Sequence, residues 1–168
     1  MIEIKGNLFE QKADAICITT NGYVKRDGTS VMGRGCAKKA TELYDNIEFT
    51  LGQLNRKGNN VYLLVEGAVN VCSFPVKDRI EKCKEDKSNV VKHMQSKMSP
   101  KQPVMGWACK ARLDIIDKSC KQLVKLTNTH GWSKVVIPRP GCGAGELLWD
   151  EVKLILEQLD DRFYVITY

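Results

Sequence analysis

The sequence predicts an α/β fold, a mixed sheet held between layers of helix. Three observations predict it. The runs Ala15 to Ile18 and Val135 to Ile137 are apolar throughout, without alternation, as in strands covered on both faces. Other stretches carry apolar residues at helical spacing, as at Leu113, Ile116, Cys120, Leu123 and Leu126. Strand-like and helix-like stretches also take turns along the chain, the pattern of a sheet sandwiched by helices. In such sheets, ligands bind where the carboxyl ends of strands run into loops that open helices.

Taken in order, Met1 to Ile4 alternates like an edge strand, and Gly6 to Glu10 turns into a short connection. The strand Asp14 to Thr20 stops at Asn21-Gly22, a strong turn pair. A polar loop follows to Met32. Gly33-Arg34-Gly35-Cys36-Ala37 then opens a helix that runs to about Tyr44, and Ile47 to Arg56 forms a second. Val61 to Val65 and Val69 to Phe74 are strands, turned at Gly67 into a hairpin. Asp78 to Pro103 differs from its surroundings. It is lysine-rich and weakly apolar, and reads as a basic insertion at about 78–103 carrying a mobile helix. Ala111 to Leu126 is helical, closed by His130-Gly131 in a C-cap pattern. Lys134 to Pro138 is a strand, Leu147-Leu148-Trp149 leads into a helix over Trp149 to Leu159, and Arg162 to Thr167 is the last strand. There is no internal repeat, so residues 1–168 are expected to form one domain.

Composition narrows the function. Hydrophobic residues make up 43% and charged residues 27%, ordinary values for a globular protein. No run approaches the roughly 20 apolar residues of a membrane span. The strand-like N-terminus lacks the features of a signal peptide. The seven cysteines are scattered and odd in number, which fits free thiols in a reducing cytoplasm. No C-x-x-C or H-E-x-x-H pattern occurs and the histidines are His93 and His130, so no metal site and no cofactor are expected. The net charge is +6, and residues 78–103 hold seven basic and four acidic residues, a surplus of three. That balance suits an anionic ligand such as a nucleotide, although a solvated lysine-rich surface is the commoner cause. Nucleic-acid binding through Arg79, Lys82, Lys84, Lys87, Lys92 and Lys97 is a weaker reading. A monomer is expected.

Two loops stand where a ligand would bind. Gly33-Arg34-Gly35 follows a buried strand and precedes a helix, so its backbone N–H groups can face an anion. It is neither a dinucleotide fingerprint nor a Walker loop. Gly141-Cys142-Gly143-Ala144-Gly145 places three glycines beside a buried strand, which lets the backbone approach a bulky ligand. Asn21 either forms a turn with Gly22 or presents its amide to a sugar hydroxyl. Cys142 has no histidine in either loop to activate it, so an inert thiol is expected. Trp107 and Trp149 read as packing residues, the alternative being an aromatic at a cleft that stacks on a base.

Five segments together resemble the macro domain. They are Gly6 to Phe9, Asp14 to Asn21, Val31 to Ala37, Phe74-Pro75-Val76-Lys77, and Pro138 to Gly143. Their order and spacing cover almost the whole chain. They are most similar to small stand-alone phage and bacterial macro proteins, and to the branch that includes the terminal ADP-ribose glycohydrolase. The resemblance implies a three-layer α/β/α sandwich and a cleft for ADP-ribose. It places Asn7 at the adenine, where relatives usually carry aspartate, and Asn21 at the distal ribose. Gly33 to Cys36 becomes the first phosphate loop and Gly141 to Gly145 the second. The ligand set so implied is Asn7, Leu8, Thr20, Asn21, Met32, Gly33, Arg34, Gly35, Cys36, Pro140, Gly141, Cys142, Gly143, Ala144 and Gly145.

The chain departs from the catalytic patterns of these relatives. One hydrolase branch carries an aspartate where Ala37 stands. The glycohydrolase uses a lysine and an aspartate, whose positions fall near Asn55 and on Gly145. The tryptophan that normally follows Phe-Pro-x-Lys closely is Trp107, separated from Lys77 by the basic insertion. Two functions are therefore carried forward. One is hydrolysis at the distal ribose of ADP-ribose 1″-phosphate or of an ADP-ribosylated macromolecule, with Asn21 as the catalytic residue. The other is a non-catalytic module that binds ADP-ribose or a related nucleotide signal.

Overall fold

A computed structural model of residues 1–168 shows a six-stranded sheet with helices on both faces. The strands are β1 (Ile2–Lys5), β2 (Ala15–Thr20), β3 (Leu63–Val65), β4 (Asn70–Pro75), β7 (Val135–Pro138) and β8 (Phe163–Thr167). They lie in the order β1-β8-β7-β2-β4-β3, all parallel except the β3–β4 edge pair. The helices are α1 (Gly35–Leu43), α2 (Ile47–Asn55), α3 (Leu113–His130) and α4 (Trp149–Leu156).

The three layers follow from the pleat. Successive strand residues point to opposite faces. In β2, Ala15 and Cys17 enter one core, and Ile16 and Ile18 the other. In β7, Val135 and Ile137 face the first core and Val136 the second. The first core joins them to Ile116, Cys120 and Leu123 of α3 and to Val152 and Leu156 of α4. The second joins them to Ala37 and Ala40 of α1 and to Ile47 and Leu51 of α2. A strand buried on both faces has no need of polar alternation, hence the continuous apolar runs. Asp14 fixes the start of β2 beside β7: its Oδ2 accepts from Ser133 N (2.8 Å), Ser133 Oγ (3.1 Å) and Lys134 N (3.0 Å). Gly131 ends α3 in the left-handed conformation (φ 66°), as its sequence predicts.

Two expectations are corrected. Residues 78–103 do not form a helix. They make a hairpin, β5 (Ile80–Lys82) against β6 (Pro103–Met105), with a 3-10 helix at Lys92–Lys97 between its strands. Cys83, Val90, Met98, Val104, Ala108 and Cys109 form a small core beneath it. These apolar residues are too widely spaced to register as a periodic pattern, and the lysines between them face outward. Secondly, α4 starts at Trp149 as expected but ends at Leu156 and not at Leu159. Leu147 packs against the α3 side of the core, and Leu148 is extended. The glycine loop therefore runs from Arg139 to Leu148 and does not lead straight into a helix.

Candidate functional site

The carboxyl ends of β2 and β7 open into a cleft of about 490 Å³. One wall is the loop before α1, with Met32, Gly33, Arg34, Gly35 and Cys36. The other is Gly141, Gly143, Ala144 and Gly145. Leu8, Thr20 and Asn21 also line it, as do Ile166, Thr167 and Tyr168 beyond them. The first wall presents the N-terminal turn of α1, where free backbone N–H groups and the helix dipole favour an anion. Gly35 reaches this turn at φ 58°, and a Cβ there or on Gly33 would meet nothing within 4 Å. The second wall is more crowded. A Cβ on Gly145 would lie 2.6 Å from the Gly141 carbonyl oxygen, and Gly141 itself sits at φ 74°. Gly143 is different, since its Cβ would meet nothing.

The charged side chains that line the cleft are all basic. Arg34, Lys39, Lys77 and Arg139 line the cleft, and no aspartate or glutamate does. Lys77 is the most enclosed of the four, at 7% exposure. Its Nζ donates to the Trp107 carbonyl (3.2 Å) and to the Ala144 carbonyl (3.3 Å). Burial holds its pKa below the usual lysine range. The hairpin of 78–105 thus returns the chain to its starting point, bringing Trp107 to Lys77 although they stand 30 positions apart. Trp107 packs against the small core beneath the hairpin, as its reading expects, and also lines the cleft. Trp149 does pack, stacking on the Arg139 guanidinium at 4.5 Å. The Thr20 hydroxyl is buried at the cleft with no partner in the protein, a donor and acceptor that a ligand can satisfy.

Three residues of the predicted ligand set do not line the cleft: Asn7, Pro140 and Cys142. The Asn7 side chain is engaged locally instead: its Oδ1 accepts from Phe9 N (3.0 Å) to cap a short 3-10 helix, Leu8–Glu10. Cys142 directs its thiol to the Pro140 carbonyl (3.6 Å), and burial raises its pKa, so it has no thiolate character. Asn55, aligned near the relatives' lysine, lies outside the cleft and donates to the main-chain carbonyl of Asn21 (3.1 Å). Asn21 lines the cleft, but its amide is engaged: Oδ1 accepts from Tyr23 N (2.9 Å) and Nδ2 donates to the Val31 carbonyl (3.1 Å). Those bonds shape the loop between β2 and α1.

Sequence reasoning did not name Lys77, Trp107, Arg139 or His93 as site residues. Lys77 stands in a segment that carried the resemblance, and a lone basic residue just past a buried strand was the available signal. His93 gave none, because its place depends on how the hairpin folds.

No family model and no curated protein matches the sequence. Solved structures do match the fold. The macrodomain of Mycobacterium tuberculosis DarG superposes with a TM-score of 0.70 at 19% identity, covering 98% of this chain and 95% of that one. The macrodomain of Thermus aquaticus DarG gives 0.69 at 19% identity, with coverage of 99% and 97%. Thermosipho africanus DarTG, solved in complex with ADP-ribose, gives 0.67 at 14% identity, with coverage of 98% and 41%. The architecture is the macrodomain fold, with the cleft at the carboxyl edge of its sheet.

Proposed function

We propose that this protein binds ADP-ribose or a derivative in the cleft and hydrolyses a bond at the distal ribose. The observation that carries the reading is a cleft lined by four cations and by no aspartate or glutamate, between the α1 N-terminus and a glycine-rich loop. A diphosphate fits that field, because helix N–H groups and cations favour it from both walls. The macrodomain fold, with ADP-ribose bound in the Thermosipho relative, supports the same ligand.

Lys77 is the group we assign to the chemistry. Its enclosed ammonium is fixed by two carbonyls, and it retains a third N–H for a ligand oxygen. There it stabilises the charge that develops on the leaving oxygen and supplies its proton as the bond to the anomeric carbon breaks; water adds to that carbon, and its surplus proton passes to the Lys77 amine, restoring the ammonium. The depressed pKa makes this ammonium a stronger acid than an exposed lysine. The substrates are ADP-ribose 1″-phosphate or an ADP-ribosylated macromolecule. The seven unpaired cysteines suit a reducing, cytoplasmic setting. Release of phosphate or ADP-ribose from these substrates tests the assignment.

One observation favours the second reading, a binding module without turnover. No aspartate or glutamate lines the cleft, so no acidic side chain is at hand to activate water. Tight binding of ADP-ribose with no turnover of either substrate class would select that reading.

A further inference from the structure

Resting on the reading of the cleft as an ADP-ribose site, we infer that the hairpin of residues 78–105 supplies a ligand contact of its own: His93, which with Arg34 grips a phosphate at the cleft mouth. Both side chains line the cleft and both are exposed there. Arg34 Nη2 lies 3.2 Å from His93 Nε2. Among the cleft cations, Arg34 is the one whose only side-chain partner is this imidazole. Lys39 pairs with Glu42, Arg139 pairs with Glu3, and Lys77 is held by carbonyls. A neutral ring nitrogen is a weak partner for a guanidinium, and a phosphate oxygen is a strong one. A phosphate entering the mouth takes the guanidinium N–H groups and releases His93 Nε2, which in its N–H tautomer donates to the same phosphate.

His93 is held in position from the second wall. It follows Lys92 at the start of the 3-10 helix, and Lys92 N donates to Glu146 Oε2 (2.9 Å). Glu146 follows the glycine run at φ 63°, a left-handed conformation unfavourable for a residue with a Cβ. Its other oxygen faces Lys110 Nζ at 3.8 Å. A line of contacts thus crosses the mouth from one loop to the other, through Arg34, His93, Lys92 and Glu146. Glu146 is a positioning residue in this arrangement and does not itself line the cleft.

Calorimetric titration of the full chain with ADP-ribose tests the inference, with melting temperature measured in parallel. His93→Ala is expected to weaken binding roughly five- to twentyfold, the range of one hydrogen bond to a charged group at a partly exposed site, without lowering the melting temperature. Glu146→Ala is expected to weaken it similarly, and Glu146→Gln, which keeps an acceptor for Lys92 N, to restore most of the loss. Lys97→Ala, an exposed cation at the far end of the same 3-10 helix, should bind like the wild type. Wild-type affinity in His93→Ala overturns this inference and leaves the cleft assignment standing. An equal loss in Lys97→Ala also overturns it, because bulk charge would then explain the effect. Failure of the wild type to bind ADP-ribose overturns both readings.

Discussion

Lys77 Nζ donates to the main-chain carbonyl of Trp107 at 3.2 Å, closing the 78–105 hairpin onto the floor of the cleft. The same nitrogen reaches the Ala144 carbonyl, so one buried ammonium joins β4's carboxyl end, the hairpin and the second glycine loop. Replacing Lys77 by Met should therefore separate binding from chemistry. ADP-ribose affinity is expected to change only a few-fold, while turnover falls about 10²- to 10⁴-fold, as on loss of a general acid. Unchanged turnover in Lys77→Met would remove Lys77 from the chemistry.

The two glycines at the ends of one tripeptide should respond in opposite ways. A side chain on Gly143 points into open space, so Gly143→Glu should fold normally and exclude an anionic ligand from the cleft. Gly145→Ala puts a methyl group 2.6 Å from the Gly141 oxygen and 2.6 Å from the Ala111 Cβ. It should lower stability by about 1–3 kcal/mol through overpacking. Thermal melts and ADP-ribose titrations of both variants check the contrast. Equal affinity in Gly143→Glu would displace the ligand from this wall.

Asn21 should act on the loop and not on the bond being broken. Asn21→Ala loses the bonds to Tyr23 N and the Val31 carbonyl, at a cost of about 1–2 kcal/mol in stability. The disordering of the loop before α1 should raise KM and leave kcat within a few-fold of wild type. A large fall in kcat at constant KM would return Asn21 to the catalytic role that its position in the sequence first implied.

Acid should release the start of β2. The backbone N–H groups of Ser133 and Lys134 hold the Asp14 carboxyl below the usual aspartate range. The folded state thus favours the ionised form. Its contribution is fully present above the ordinary aspartate value of about 3.9 and is lost as pH falls through the lower, folded value. The stability gap between wild type and Asp14→Asn is therefore expected to shrink as pH is lowered from about 6 to about 3. A gap that stays constant over that range would mean that Asp14 does not titrate with folding.

The layers, the parallel strands and both glycine walls were legible in the residues because each rests on local chemistry. Continuous apolar runs at Ala15 to Ile18 and Val135 to Ile137 have to be covered on both faces wherever they lie. Gly35 and Gly141 reach backbone angles that other residues resist, so their place in a loop can be read before its partners are known. The hairpin was not legible. Its six core residues are scattered among lysines, and they bury one another only once β5 meets β6 across 20 intervening residues (83–102). The site chemistry depended on the same event. Only tertiary folding sets Trp107 beside Lys77 and His93 beside Arg34, pairs 30 and 59 positions apart. It also turned Asn7 and Cys142 away from the cleft, since a local hydrogen bond claimed each side chain first. The sequence by itself determined where a ligand's phosphates could meet backbone, because that depends on strand ends and glycine. Which side chains line the cleft was decided by packing, because distance along the chain says nothing of distance across a cleft.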